Sequence, residues 1–124
     1  MKKRLKVPDW VALHEMMHTD WKFQNLEAIA FLRKRLSRFQ CSNPVVSIVI
    51  PVWNEEENLV RTLSSFAHME IPFETELIIV NNNSTDSTAE ILDSLGVSTV
   101  FEPRQGIAHA RLAGLRASRG IYHL

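Results

Sequence analysis

The sequence predicts an α/β fold in which helices flank a mostly parallel sheet, preceded by a helical extension. Three observations carry this reading. Short β-branched apolar runs recur along the chain, VVSIVIPVW (45–53), ELIIV (76–80) and VSTVFE (97–102), and IYHL (121–124) begins a fourth. Each of the first three is followed by polar helix-start signals and then by helical apolar spacing. The first run is nearly continuous, as a parallel strand covered on both faces is.

Residues 8–40 come first and differ in kind. Trp10, Leu13, Met17 and Trp21, then Leu26, Ile29, Leu32 (or Arg33), Leu36 and Phe39, fall at helical spacing, with Thr19-Asp20 as a break between two helices. RKRLSR (33–38) closes the second helix with positive charge, which suits a helix C-terminus. One reading is a helical appendage packed on the domain. The other is a basic amphipathic segment making peripheral contact with the inner face of a membrane. CSNP (41–44) is a polar linker whose proline disfavours helix at Asn43. It divides a helical extension, 1–43, from a second unit, 44–124.

In that second unit, the strand at 45–53 leads to Asn54, a predicted cap for a helix whose first turn is Glu55-Glu56-Glu57. Leu59, Val60, Leu63, Phe66 and Ala67 give that helix its core face. After ELIIV, Ser84 or Asp86 caps a short helix, TAEILDSL, that Gly96 ends. After VSTVFE, a third helix runs from Gly106 to Ala117, with Gly120 just past its end. Strand and helix alternate three times with short connections, a Rossmann-like arrangement.

The bulk numbers bound the function. A 45% apolar and 23% charged chain of 124 residues with zero net charge is an ordinary globular unit and makes no general case for nucleic acid. Its charge is unevenly placed. Residues 1–40 carry nine Lys/Arg against four Asp/Glu, and the remainder five against ten, so a +5 segment precedes a −5 segment. Cys41 stands alone, which removes a disulfide framework and a cysteine zinc site and suits a reducing, cytoplasmic setting. MKKRLK resembles the start of a signal peptide, but Pro8, Asp9, His14 and Glu15 break up the stretch where such a peptide is continuously apolar. No apolar run approaches the ~18 residues of a membrane span.

Ligands of such sheets bind outside the carboxyl ends of the strands. PVWNEE (51–56) and NNNSTD (81–86) both follow strands, so they are expected to share one rim. Capping requires one residue of NNNSTD. Asn81, Asn82 and Asn83 are poor strand residues that capping leaves unexplained, and a ligand-holding rim accounts for them. Trp53, at a strand end, is either a core indole or a stacking platform for a flat base. Arg111, about one turn into the third helix, is either solvated or within reach of a diphosphate.

HEMMH (14–18) matches H-E-x-x-H literally, the pattern of a zinc-protease helix. Only 13 residues precede it, no downstream third ligand stands out beyond Glu27, and the motif is taken as a coincidence on an amphipathic helix. G-x-G-x-x-G after the first strand and G-x-x-x-x-G-K-[ST] are both absent, which disfavours dinucleotide-binding and P-loop enzymes.

VSIVIPVWNEEENLVRTLSSF, ELIIVNNNSTDSTAEIL and EPRQGIAHARLAGLRASRGIYHL, in this order and spacing, closely resemble the start of family 2 glycosyltransferases. The likeness covers about residues 45–124. It implies a GT-A fold that binds a nucleotide-diphospho-sugar, a UDP- or GDP-sugar, and passes the sugar to an acceptor. By the resemblance, Pro51, Trp53 and Glu55 match the motif that holds the nucleoside. Asn82 falls where the family usually has an aspartate that accepts a hydrogen bond from uracil, Asp86 matches the next turn, and Arg111 matches an arginine near the diphosphate. The family's D-x-D motif, which lies beyond the strand beginning IYHL and holds a divalent cation (Mn2+ or Mg2+), is not in this sequence. The expectation is therefore a truncated, nucleotide-binding half with no catalytic or metal-binding residue of its own. The alternative is a non-catalytic nucleotide-binding or interaction module.

Overall fold

The computed structural model describes residues 26–124, so Trp10 to Trp21 and HEMMH lie outside the described residues. The elements are α1 (Leu26–Leu36) with a 3-10 turn (Ser37–Phe39), β1 (Val46–Val52), α2 (Leu59–His68), β2 (Thr75–Asn81), α3 (Thr88–Leu95), β3 (Ser98–Phe101), α4 (Ile107–Ala117) and β4 (Tyr122–His123). The strands form one sheet in the order β3-β2-β1-β4, and every adjacent pair is parallel. The predicted α/β class and strand order of appearance therefore hold.

Alternation along the strands sorts the two faces. Ile48, Ile50, Val52, Leu77 and Ile79 turn toward α1, α2 and α3, where Leu32, Leu36, Leu63, Ile91, Leu92 and Leu95 are all but fully buried. Val49, Ile78 and Val80 turn the other way, toward Ala110 and Ala113 of α4. A chain that winds β1-α2-β2-α3-β3 on one face must return over the other to reach β4 if each crossover keeps its right hand. α4 makes that return.

α4 lies close to the sheet because Gly114 has no side chain. A Cβ there would sit 2.1 Å from Val49 Cγ1 and 3.0 Å from Val80 Cγ2. Gly114→Ala is expected to destabilise the fold by about 1–3 kcal/mol through overpacking, despite the better helix propensity of alanine. Urea unfolding measures it, and Val49→Ala in the same chain should return part of the loss. A neutral Gly114→Ala would show that α4 does not pack this tightly.

The N-terminal helix belongs to the larger core. Ile29, Leu32, Leu36 and Phe39 are buried as its spacing predicts, whereas Leu26 is 85% exposed. Its basic run has an unforeseen role. Arg33 donates to the carbonyls of Asp93 and Ser94 at the end of α3, Arg35 to Ala67 O, and Arg38 to Phe66 O and Met69 O at the end of α2. Positive charge on terminal helix carbonyls is favourable. The helix ends stabilised are those of α2 and α3, in addition to the helix that carries the arginines.

Candidate functional site

Val52 and Asn81, the last residues of β1 and β2, face each other in register. Trp53-Asn54 and Asn82-Asn83 therefore emerge side by side, and the two polar loops share one rim as expected. They are clasped by five hydrogen bonds between main chain and side chain. Asn54 N donates to Ser84 Oγ, Thr85 N to Asn54 Oδ1, Glu55 N to Thr88 Oγ1, Glu56 N to Asp86 Oδ2, and Ser87 N to Glu56 Oε2. Asn54 adopts the left-handed region (φ 50°), which asparagine tolerates better than other non-glycine residues.

This clasp corrects the predicted caps. Asn54 does not cap α2. A turn intervenes in which Glu55 O accepts from Asn58 N and Leu59 N, and α2 begins at Leu59 with no side-chain cap. Glu55-Glu56-Glu57 thus precede the helix instead of forming its first turn. Ser84 does not cap α3, since its hydroxyl serves Asn54. Asp86 combines both roles: Oδ1 accepts Thr88 N at the start of α3 while Oδ2 holds the neighbouring loop. Burial pushes the Asp86 carboxyl up, but hydrogen bonds from Thr88 and from Glu56 N outweigh it and hold it below the ordinary range.

The three asparagines also have assignments. Asn81 Oδ1 accepts Ser84 N, which shapes the turn. Asn82 is buried and acts as a staple: Nδ2 donates to Glu102 O (3.0 Å) and Arg104 O (2.8 Å), and Oδ1 accepts Gly106 N (3.0 Å). Asn83 is left-handed (φ 59°) and approaches Pro103 O. Gly106 has φ 135°, a conformation left to glycine, and this aims its N–H at Asn82.

The staple draws the segment after β3 to the end of β1 and closes one wall of an open cleft of about 350 Å3. Pro51, Val52, Trp53, Glu55, Asn82, Gln105, Gly106 and Ile107 line it. Trp53 is 55% exposed, so it is a wall and not a core residue. Of the predicted site residues, Pro51, Trp53, Glu55 and Asn82 converge on the cleft. Asp86 stands behind it as a loop clamp, and Arg111 is an exposed residue of α4. Gln105, Gly106 and Ile107 were not singled out by sequence reasoning as lining residues. Their only signal was the helix start at Gly106, and their approach to β1 depends on the reach of Asn82.

Among the described residues, no three His, Cys, Asp or Glu side chains converge to hold a metal ion. No helix of the described residues is long and apolar enough to cross a membrane.

Comparison with known proteins agrees with this architecture. The family profile "Glycosyl transferase family 2" matches residues 47–124, and the chain belongs to that family. An uncharacterized glycosyltransferase of Mycobacterium tuberculosis is 40% identical over 73 residues, which cover 59% of this chain and 31% of that protein. The uncharacterized glycosyltransferase YfnE of Bacillus subtilis is 34% identical over 85 residues, covering 62% and 22%. A mannosyltransferase of Pyrobaculum calidifontis, solved with GDP-Man and Mn2+, superposes with a TM-score of 0.56 at 21% identity, over 88% of this chain and 35% of that one. This likeness shows the fold, that of a GT-A glycosyltransferase. The chain spans about a third or less of the lengths of these proteins.

Proposed function

We propose that residues 44–124 are the donor-binding half of a family 2 glycosyltransferase and residues 1–43 an N-terminal extension, whose helix α1 packs on that half. In this reading the cleft holds the nucleoside of a UDP- or GDP-sugar, whose sugar is transferred to an acceptor. The observation that supports it is the placement of an exposed indole, Trp53, beside a cleft at the carboxyl ends of β1 and β2. α4 starts at the same cleft, and its first-turn N–H groups suit a diphosphate. Arg111, one turn further on, is proposed to approach that diphosphate.

A divalent cation, Mn2+ or Mg2+, is what the family implies, but the described residues do not fit one. The chain by itself is therefore proposed to bind a donor without turning it over. That observation also favours a second reading, a nucleotide-binding module with no catalysis of its own. A cytoplasmic setting rests on the lone Cys41. Peripheral contact with the inner membrane face would draw on the basic residues of 1–25, because Arg33, Arg35 and Arg38 face helix ends.

Calorimetry of the 124-residue chain against UDP, GDP and their sugars, with and without Mn2+, tests both readings. Trp53→Ala is expected to weaken every nucleotide that binds, by about 5- to 100-fold, since base stacking contributes roughly 1–3 kcal/mol whatever the base. Absence of binding to any of these compounds would sink the proposal. Sugar transfer by this chain alone would sink its non-catalytic part.

A further inference from the structure

The helical extension and the edge strand β4 meet at Arg119. Its Nη2 donates to Cys41 O (2.9 Å) and its Nη1 to Ser42 O (3.4 Å), in the linker that follows α1. Nε and Nη2 also donate to Glu76 Oε2, and the Arg119 backbone N donates to Glu76 Oε1. Gly120 comes next, with its N–H on Ser47 Oγ, in a bend so close to β1 that a Cβ would lie 2.6 Å from that oxygen. β4 starts at Tyr122.

The two elements joined in this way are unequally held. β4 is two residues long, and Ile121, Tyr122 and Leu124 are 76%, 65% and 77% exposed, so their side chains bury little. Its main chain pairs on one side, with β1: Ile121 N and Tyr122 N donate to Val45 O, Leu124 N donates to Ser47 O, and Leu124 O accepts from Val49 N. Edge pairing without packed side chains opens readily. The extension is the opposite case. Leu32, Leu36 and Phe39 are buried in the larger core, and Arg33 and Arg38 are fixed on the ends of α3 and α2. A planar guanidinium that spans the linker carbonyls and the Glu76 carboxylate can pass stability from the well-held element to the weak one. We propose that the extension secures β4 on the sheet through Arg119, so that docking of α1 and pairing of β4 are positively coupled. Release of the extension then frees the apolar edge at residues 121–124. This coupling does not depend on what the cleft binds.

Amide hydrogen exchange of the 124-residue chain, followed by NMR, tests it. Tyr122 and Leu124 report the opening of β4, and Ile79 in β2 reports the opening of the whole fold. Arg33→Gln loosens α1 at the end of α3, where Arg33 bonds Asp93 O and Ser94 O and not β4. It is expected to speed exchange at Tyr122 and Leu124 by about 3- to 10-fold. Arg119→Lys keeps a cation for Glu76 but lacks the fork that also reaches the linker. In that background, adding Arg33→Gln should change β4 exchange by under about twofold, the result of a cycle whose connecting group has been removed. Circular dichroism checks that each variant is folded. Exchange at β4 that ignores Arg33→Gln, or that responds equally with and without Arg119→Lys, would overturn the coupling. Exchange at Leu124 no faster than at Ile79 in the unaltered chain would also overturn it, because β4 would then open only with the whole fold.

Discussion

Replacing Arg119 with methionine is expected to lower the unfolding free energy by about 2–3 kcal/mol at pH 7, below the ~3–5 kcal/mol typical of a broken buried pair because one partner is half solvated. Glu76 lies in the fully buried β2 strand, and its carboxylate accepts from Ser47 Oγ (2.6 Å), Arg119 N (2.6 Å), Arg119 Nε (3.2 Å) and Arg119 Nη2 (3.0 Å). The same guanidinium reaches the carbonyls of Cys41 and Ser42, and Gly120 N donates to Ser47 Oγ. This network joins the linker, β1, β2 and the residues entering β4. Removing the guanidinium leaves Glu76 buried with two partners.

The loss should depend on pH in a defined direction. Burial alone would raise the Glu76 carboxyl, but bonds from Ser47 and Arg119 outweigh it and hold it below the ordinary range. A depressed native pKa means that the contribution is complete above the unfolded value of about 4 and is lost as pH falls through the native one. The gap between the unaltered chain and Arg119→Met should therefore narrow below about pH 4, as urea unfolding at pH 7 and pH 3 would show. A gap under about half a kcal/mol at pH 7, or one indifferent to pH, would make Arg119 an ordinary surface residue.

Asn82→Asp is expected to cost more than Asn82→Ala at neutral pH: about 2–4 against 1–2 kcal/mol. Aspartate keeps the bond from Gly106 N but sets an oxygen against Glu102 O and Arg104 O, at 3.0 and 2.8 Å in the present chain. Alanine leaves the same carbonyls open to water from the cleft. The aspartate's pKa should rise, so its excess penalty is present above that pKa and relieved as pH falls and a proton restores one donor. Denaturation of the two variants across pH 4–8 measures this. An Asn82→Asp chain as stable as the original would mean that the 102–106 segment is not held by this amide.

Much of this was legible in one dimension. The nearly continuous apolar run at 45–53 announced a parallel strand covered on both faces, and β1 pairs in parallel with both its neighbours. Gly96 announced the end of α3, and it ends that helix in the left-handed conformation (φ 64°). Pro51, Trp53, Glu55 and Asn82 meet at one cleft because PVWNEE and NNNSTD both follow strands whose carboxyl ends share a rim. The sequence by itself determined the fold class, the rim and its family.

The partners of the polar side chains were settled only by tertiary structure. Asn54 and Ser84 looked like local caps because capping is a short-range rule, yet each bonds across the rim to the other's loop, 30 or 31 residues away in sequence. Arg33, Arg35 and Arg38 looked like the basic end of their own helix, and they also reach carbonyls 28–61 residues distant. Asn82 looked free to read a base and is held by three backbone groups 20–24 residues on. Hydrophobic periodicity repeats over a few residues and survives in a linear reading. A hydrogen bond is made to whichever group the packed core brings within about 3 Å, and that distance exists only once the sheet and its helices have closed.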